Sequence, residues 1–251
     1  MFQRLIKNDL KENKISMLVV GLFLLLTLTL SFAATRLTVS LSNSIERFVE
    51  TAKSPHLLQM HSGRVDRKRL QNFVQQHPEI ASWQLTDFVN VEGSAIRING
   101  QDSLQDSSQD NGFSSQNQNF DFLLDQYNRP AQPQPGQVYI PLYYYNSGKI
   151  KIGDQISVGS LQLTVKGFIR DAQMNAGLVS SKRFLISQAD LQTLKKEAFA
   201  SNENLIAFRV HKLSQISTIE QAYKNAELES NGPPMITYPT IKMINGFNDA
   251  L

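Results

Sequence analysis

Three rhythms of hydrophobic and polar positions run along this chain. The first is an unbroken apolar run, Ile15 to Thr35 (ISMLVVGLFLLLTLTLSFAAT), with no charged residue among its 21 positions. At about 1.5 Å per residue, a helix of that length spans about 30 Å, the hydrocarbon thickness of a bilayer. The run has no polar face, so it is read as a transmembrane helix over 15–35, with Ile15, Leu22, Leu26, Leu30 and Ala34 as marker positions. Thr27 and Thr29 are compatible with this, because their hydroxyls can bond back to the helix backbone. A cleaved signal peptide is the competing reading, with Ser31-Phe32-Ala33 as its small-x-small site. The apolar stretch exceeds the usual hydrophobic core of a signal of roughly 7–15 residues, so a retained anchor is expected.

Residues 1–14 place Phe2, Leu5, Ile6 and Leu10 at helical spacing among Arg4, Lys7, Lys11 and Lys14. This predicts a cytoplasmic amphipathic leader lying in the membrane interface. Most of the chain follows the span, which favours a cytoplasmic N-terminus and an exported domain. Val39, Leu41, Ile45, Phe48 and Val49 prolong the helical pattern into a stalk over 36–55, which ends at Pro55.

The second rhythm mixes periods of two and 3.6. A strand over His56–Met60, a helix over Asp66–Gln76 and a strand or hairpin arm over Ile80–Val91 form a first β-α-β part, 56–99. A second part, 201–239, has a strand at Leu205–Val210, a helix at Ile216–Glu229 and a strand at Met235–Tyr238. Between them, 138–200 reads as a β-rich subdomain, with strands over Val138–Tyr145, Ile150–Val158, Leu161–Ile169 and Gly177–Ile186. In this reading Tyr143, Tyr144 and Tyr145 pack as strand residues, and Ser187 caps a helix running to Glu197. The fold class is therefore α+β: one N-terminal transmembrane helix, then an extracytoplasmic domain of two β-α-β units with an inserted β-rich subdomain.

The third rhythm is no rhythm. In Gln101–Asn119, 17 of 19 residues are Gln, Asn, Ser, Asp or Gly. Such a stretch offers little apolar surface to offset its ordering entropy, so 100–137 is expected to be a flexible polar insertion. Within it, Phe120–Tyr127 is read as a short helix and Asn128–Gln137 as a turn-rich bridge.

Composition then narrows the chemistry. The 251 residues contain no Cys, which removes disulfides and thiolate metal sites and agrees with an exported domain. The chain carries 25 Lys+Arg and 22 Asp+Glu; with residues 1–35 set aside, 21 and 20 remain, a net charge of +1. A nearly neutral domain lacks the electrostatic footprint that nucleic acid requires. The basic cluster Arg64 to Arg69 is read as a solvated helix face. His56, His61, His77 and His211 are dispersed and are read as surface residues, without metal spacing. There is no G-x-S-x-G elbow and no phosphate-binding G-x-x-x-x-G-K-[ST] loop, so the chain is not expected to be an enzyme and no cofactor is assigned to it.

One motif is more specific. Val138-Tyr-Ile-Pro141-Leu is followed by Lys151-Ile-Gly153-Asp154, then by Leu163-Thr-Val-Lys-Gly167-Phe-Ile169. Gly153-Asp154 supplies a tight turn, and Gly167 a bend or bulge in a paired strand. With the leader, the span and the α+β domain, this order resembles the MacB/FtsX-type permeases of ABC transporters. Pro141, Gly153, Asp154 and Gly167 are the local match, and in that family they are structural. The resemblance implies a permease subunit in a bacterial cytoplasmic membrane that couples ATP hydrolysis to movement of its exported domain in export or efflux (mechanotransmission). It implies an ABC ATPase partner, a second permease copy or homologue, and an extracytoplasmic adaptor or substrate peptide. In the family's layout three more spans follow the exported core, so 240–251 reads as the start of a helix leading to a second span. Two other functions stay open: an FtsX-like regulator of cell-wall hydrolases, and a single-pass anchored sensor or scaffold ectodomain.

Overall fold

The computed structural model describes residues 14–175 and 179–246; the predicted leader, Lys14 apart, and the last five residues lie outside them. The chain divides into two units, 1–44 and 45–251.

The first unit contains most of α1 (Lys14–Thr51), one continuous helix of 38 residues. It is long and apolar enough to cross a membrane. Ile15, Leu22, Leu26, Leu30 and Ala34 are all exposed. The Thr27 hydroxyl donates to the Phe23 carbonyl at 2.7 Å and that of Thr29 to Leu26 at 2.9 Å, so neither leaves a polar group unpaired.

The second unit is built on a sheet. Its elements are β1 (Leu57–Ser62), α2 (Arg67–Gln76), β2 (Ile80–Val91), β3 (Ile96–Ile98), β4 (Asp102–Ser103) and β5 (Asp110–Ser114). Next come β6 (Gln137–Pro141), α3 (Leu142–Asn146), β7 (Gln155–Val158), β8 (Leu161–Ile169), β9 (Ser181–Ile186) and α4 (Gln188–Leu194). The chain continues through β10 (Ser201–Val210), α5 (Ile216–Asn225), β11 (Ile236–Thr237) and α6 (Tyr238–Gly246). Among the described residues the strands form one sheet, in the order β11-β1-β10-β2-β5-β9-β6-β8-β7-β3-β4.

The two β-α-β parts meet through β10, which pairs antiparallel with both β1 and β2. Strand alternation then sorts the apolar residues between faces. Leu57, Ile206 and Phe208 pack with Leu70 and Phe73 of α2 and with Ile216, Ile219 and Tyr223 of α5. Leu58, Leu205 and Ala207 point the other way and are covered by Phe120 and Met174. Asp66 starts α2 by accepting from the Lys68 and Arg69 amides, and Ser187 starts α4 by accepting from that of Asp190. The stretch read as a separate β-rich subdomain shares this sheet, because β5 pairs with β2 on one side and with β9 on the other.

Four expectations change. Segment 100–137 is not a loose insertion: β5 lies inside the sheet, and Leu104, Phe113, Phe120, Leu123 and Leu124 are all buried. Its composition conceals this, because few apolar residues suffice when most of them are buried and the backbone of β5 pairs on both sides. Phe120–Tyr127 is not helical; Leu124 forms isolated bridges to Pro130 and Arg170. Tyr143–Tyr145 belong to α3, not to a strand, because Pro141 ends β6 and stands at the helix N-cap. In α3 Tyr144 turns inward, and its hydroxyl donates to Asn111 Oδ1 at 2.5 Å. His56 is not on the surface: it is buried, while His211 is exposed and His61 and His77 are intermediate.

Candidate functional site

The four motif residues come from three segments, and the structure gathers them along β8. Pro141 and Ile169 are register partners, as are Tyr139 and Gly167. The register slips between Val138 and Tyr139, so β8 carries an extra residue just before Gly167, and a Cβ there would lie 3.1 Å from the Tyr139 ring. Gly153 has φ +95° and donates to the Val165 carbonyl at 2.9 Å. Asp154 accepts from the Lys151 amide at 2.8 Å and from Asn99 Nδ2 at 3.0 Å, which ties the turn before β7 to the end of β3. Every one of these contacts is architectural.

The chemically distinctive site lies elsewhere. After Ser181, β9 carries two charged residues, Lys182 and Arg183, ahead of Phe184-Leu185-Ile186, and both are buried. Arg183 is met by two buried carboxylates from loops. Its Nε donates to Asp171 Oδ2 at 2.7 Å, and its terminal nitrogens donate to Asp171 Oδ1 at 3.1 Å and Asp121 Oδ2 at 3.0 Å. The Gln173 carbonyl oxygen takes a further Arg183 proton at 3.0 Å, while its amide nitrogen donates to Asp121 Oδ1. Asn117 Nδ2 donates to Asp121 Oδ2 at 3.0 Å, and the Gln173 backbone amide to Asp171 Oδ1 at 2.8 Å. All four carboxylate oxygens therefore accept from protein donors. Among the described residues the site is a buried network in which every carboxylate oxygen has at least one protein donor.

Burial raises the Asp121 pKa, with Arg183 acting against it. Burial also works against the charge of Arg183, yet Asp121 and Asp171 outweigh it and hold that pKa above the ordinary arginine value. Lys182, next along β9, packs its ammonium over the Tyr143 ring at 4.8 Å, and burial pushes its pKa down to about 8.

The network reaches several elements. Asn117 accepts from the Thr86 hydroxyl of β2 at 2.7 Å. The Asp121 and Phe122 amides donate to the Lys53 and Ala52 carbonyls, at 3.0 and 2.7 Å, just beyond α1. Ala172, between the two network residues Asp171 and Gln173, packs with Ile45, Phe48 and Val49 of α1 and with Ile241 of α6. Asn245 of α6 donates to the Ala172 carbonyl at 2.6 Å. Sequence reasoning named none of Asp121, Asp171, Gln173, Arg183 or Asn245. The available signal was Lys182-Arg183 inside a predicted strand, since charges at core positions need partners.

No family model and no curated protein matches the chain. Solved structures similar to it include the periplasmic region of MacB from Actinobacillus actinomycetemcomitans, at 9% identity and TM-score 0.39, covering 80% of this chain and 96% of that one. Another is the extracellular domain of the noncanonic ABC-type transporter YknZ from Gram-positive bacteria, at 12% identity and TM-score 0.37, covering 72% of this chain and 98% of that one.

Proposed function

We propose that this chain is the permease-type component of an ABC export system: a membrane-anchored subunit whose α+β domain lies outside the cytoplasm and moves when a partner ATPase works. One observation carries the reading. The exposed apolar helix α1 continues without a break to Thr51, and its last turns, at Ile45, Phe48 and Val49, are core residues of the domain. A sensor or scaffold needs only a tether, whereas residues Ile45, Phe48 and Val49 at the end of α1 are built into the core of the domain, as suits an anchor that acts on it.

The domain stands on the outer side with the N-terminus in the cytoplasm, in the membrane of a bacterium. The chain acts with an ABC ATPase and a second permease, and it handles a substrate or an adaptor on the outer side. The test is affinity purification of the full chain from membranes of its own host, followed by mass spectrometry and an ATPase assay. The expected result is co-purification of a protein with a Walker-type phosphate loop, with vanadate-sensitive ATP hydrolysis. A cell-wall hydrolase retained together with that ATPase supports the FtsX-like alternative, and loss of the ATPase from the purified chain overturns both.

A further inference from the structure

The buried network joins three parts of the domain that are distant in sequence. Arg183 belongs to a strand with neighbours on both sides, and through Asp121 it holds the loop whose next two backbone bonds go to the end of α1. Through Asp171 and Gln173 it fixes the turn whose middle residue, Ala172, carries α6 by the Asn245 bond and the Ile241 contact. Lys242 of α6 also lies 3.4 Å from Glu46 of α1. Segments pinned by one guanidinium thus contact both helices, and α6 also follows directly from β11, which pairs with β1.

We propose that Arg183, Asp121, Asp171 and Gln173 form a mechanical junction that locks the last turns of α1 and helix α6 to the middle of the sheet, so that these parts move as one body. Arg183 is a positioning residue in this junction. A single ionic centre suits that role because its bonds are directional and bidentate, so they resist sliding, which apolar packing by itself permits. Burial from water keeps competing solvent away from those bonds. The importance of the junction to transport rests on the permease reading, but its existence does not.

The test is amide hydrogen exchange, read by mass spectrometry on the full chain in detergent micelles or nanodiscs. Arg183→Met is compared with wild type and with Ile219→Ala, a control in the separate α2/α5 core layer. Arg183→Met is expected to raise exchange at least tenfold in peptides covering 45–53, 120–124 and 238–245, while peptides from β1 and β10 stay at wild-type rates. Ile219→Ala is expected to raise exchange in α2 and α5 and to leave those three peptides alone. If Arg183→Met prevents folding, Asn245→Ala cuts one arm and is expected to release 238–245 only. The junction is overturned if Arg183→Met accelerates exchange uniformly, if it affects only 171–173, or if Asn245→Ala leaves α6 protected. Exchange requires no ATPase partner, so failure here is distinct from failure of the permease reading.

Discussion

Asn245 Nδ2 lies 2.6 Å from the Ala172 carbonyl and 2.8 Å from that of Ile241, so one buried amide pairs its own helix with the turn beside Arg183. Helix α6 therefore adheres by a specific polar contact as well as by the apolar side of Ile241.

The energetics of that network can be separated by substitution. Removing Arg183 leaves two buried carboxylates without their cation, and such losses cost about 3–5 kcal/mol. Arg183→Met should lose that much in chemical denaturation. Asp121→Asn, although isosteric, turns an NH2 group toward donors that approach both oxygens, and should lose about 1–3 kcal/mol. Replacing Arg183, Asp121 and Asp171 together by Leu should recover part of the Arg183→Met loss. If it recovers none, apolar packing cannot substitute for the network.

Gly112 lies on β5 opposite Asn90, and a Cβ added there would come within 1.7 Å of the Phe88 ring. Gly112→Ala should destabilise by about 1–3 kcal/mol through overpacking. Phe88→Leu makes room, so the double variant should lose less than the sum of the singles. Strict additivity in denaturation midpoints would contradict the contact.

His56 Nδ1 accepts from the Val210 amide at 3.0 Å, which requires a neutral ring, and burial together with Arg209 lowers its pKa from 6.5 to about 4. The folded state then binds fewer protons than the unfolded chain between those values. Stability is fully present above pH 6.5 and is lost as pH falls toward 4. His56→Asn keeps an acceptor in place of Nδ1 and removes the titration. The difference in melting temperature between wild type and this variant should shrink from pH 7.5 to pH 4.5, and an unchanged difference counts against the assignment.

Gly153 has open space around its Cβ position but a φ of +95°. Gly153→Ala should cost about 1–2 kcal/mol from the backbone alone. Gly167→Ala should depend on how far the Tyr139 ring moves aside, and pairing it with Tyr139→Ala should restore most of its loss. Thermal unfolding of the four variants checks both statements.

Leu26 lies within the exposed apolar run of α1. If that run spans the bilayer, Leu26→Arg carries an insertion cost of about 2.5–3.5 kcal/mol at the helix centre. The fraction of chain resisting alkaline carbonate extraction should fall accordingly, while Leu41→Arg should leave it unchanged.

The sequence by itself determined the long helix, the strands and helices of both β-α-β parts, and the turn at Gly153-Asp154. These features rest on local periodicity and local chain chemistry, which a linear reading contains. Only the tertiary structure decided that the polar stretch around Gly112 is a sheet strand, that the tyrosine run is a helix, and that His56 is buried. It alone brought Asp121, Asp171, Gln173, Arg183 and Asn245 together. Burial of a polar group is favourable only when distant partners satisfy it, and those partners carry no periodic mark along the chain.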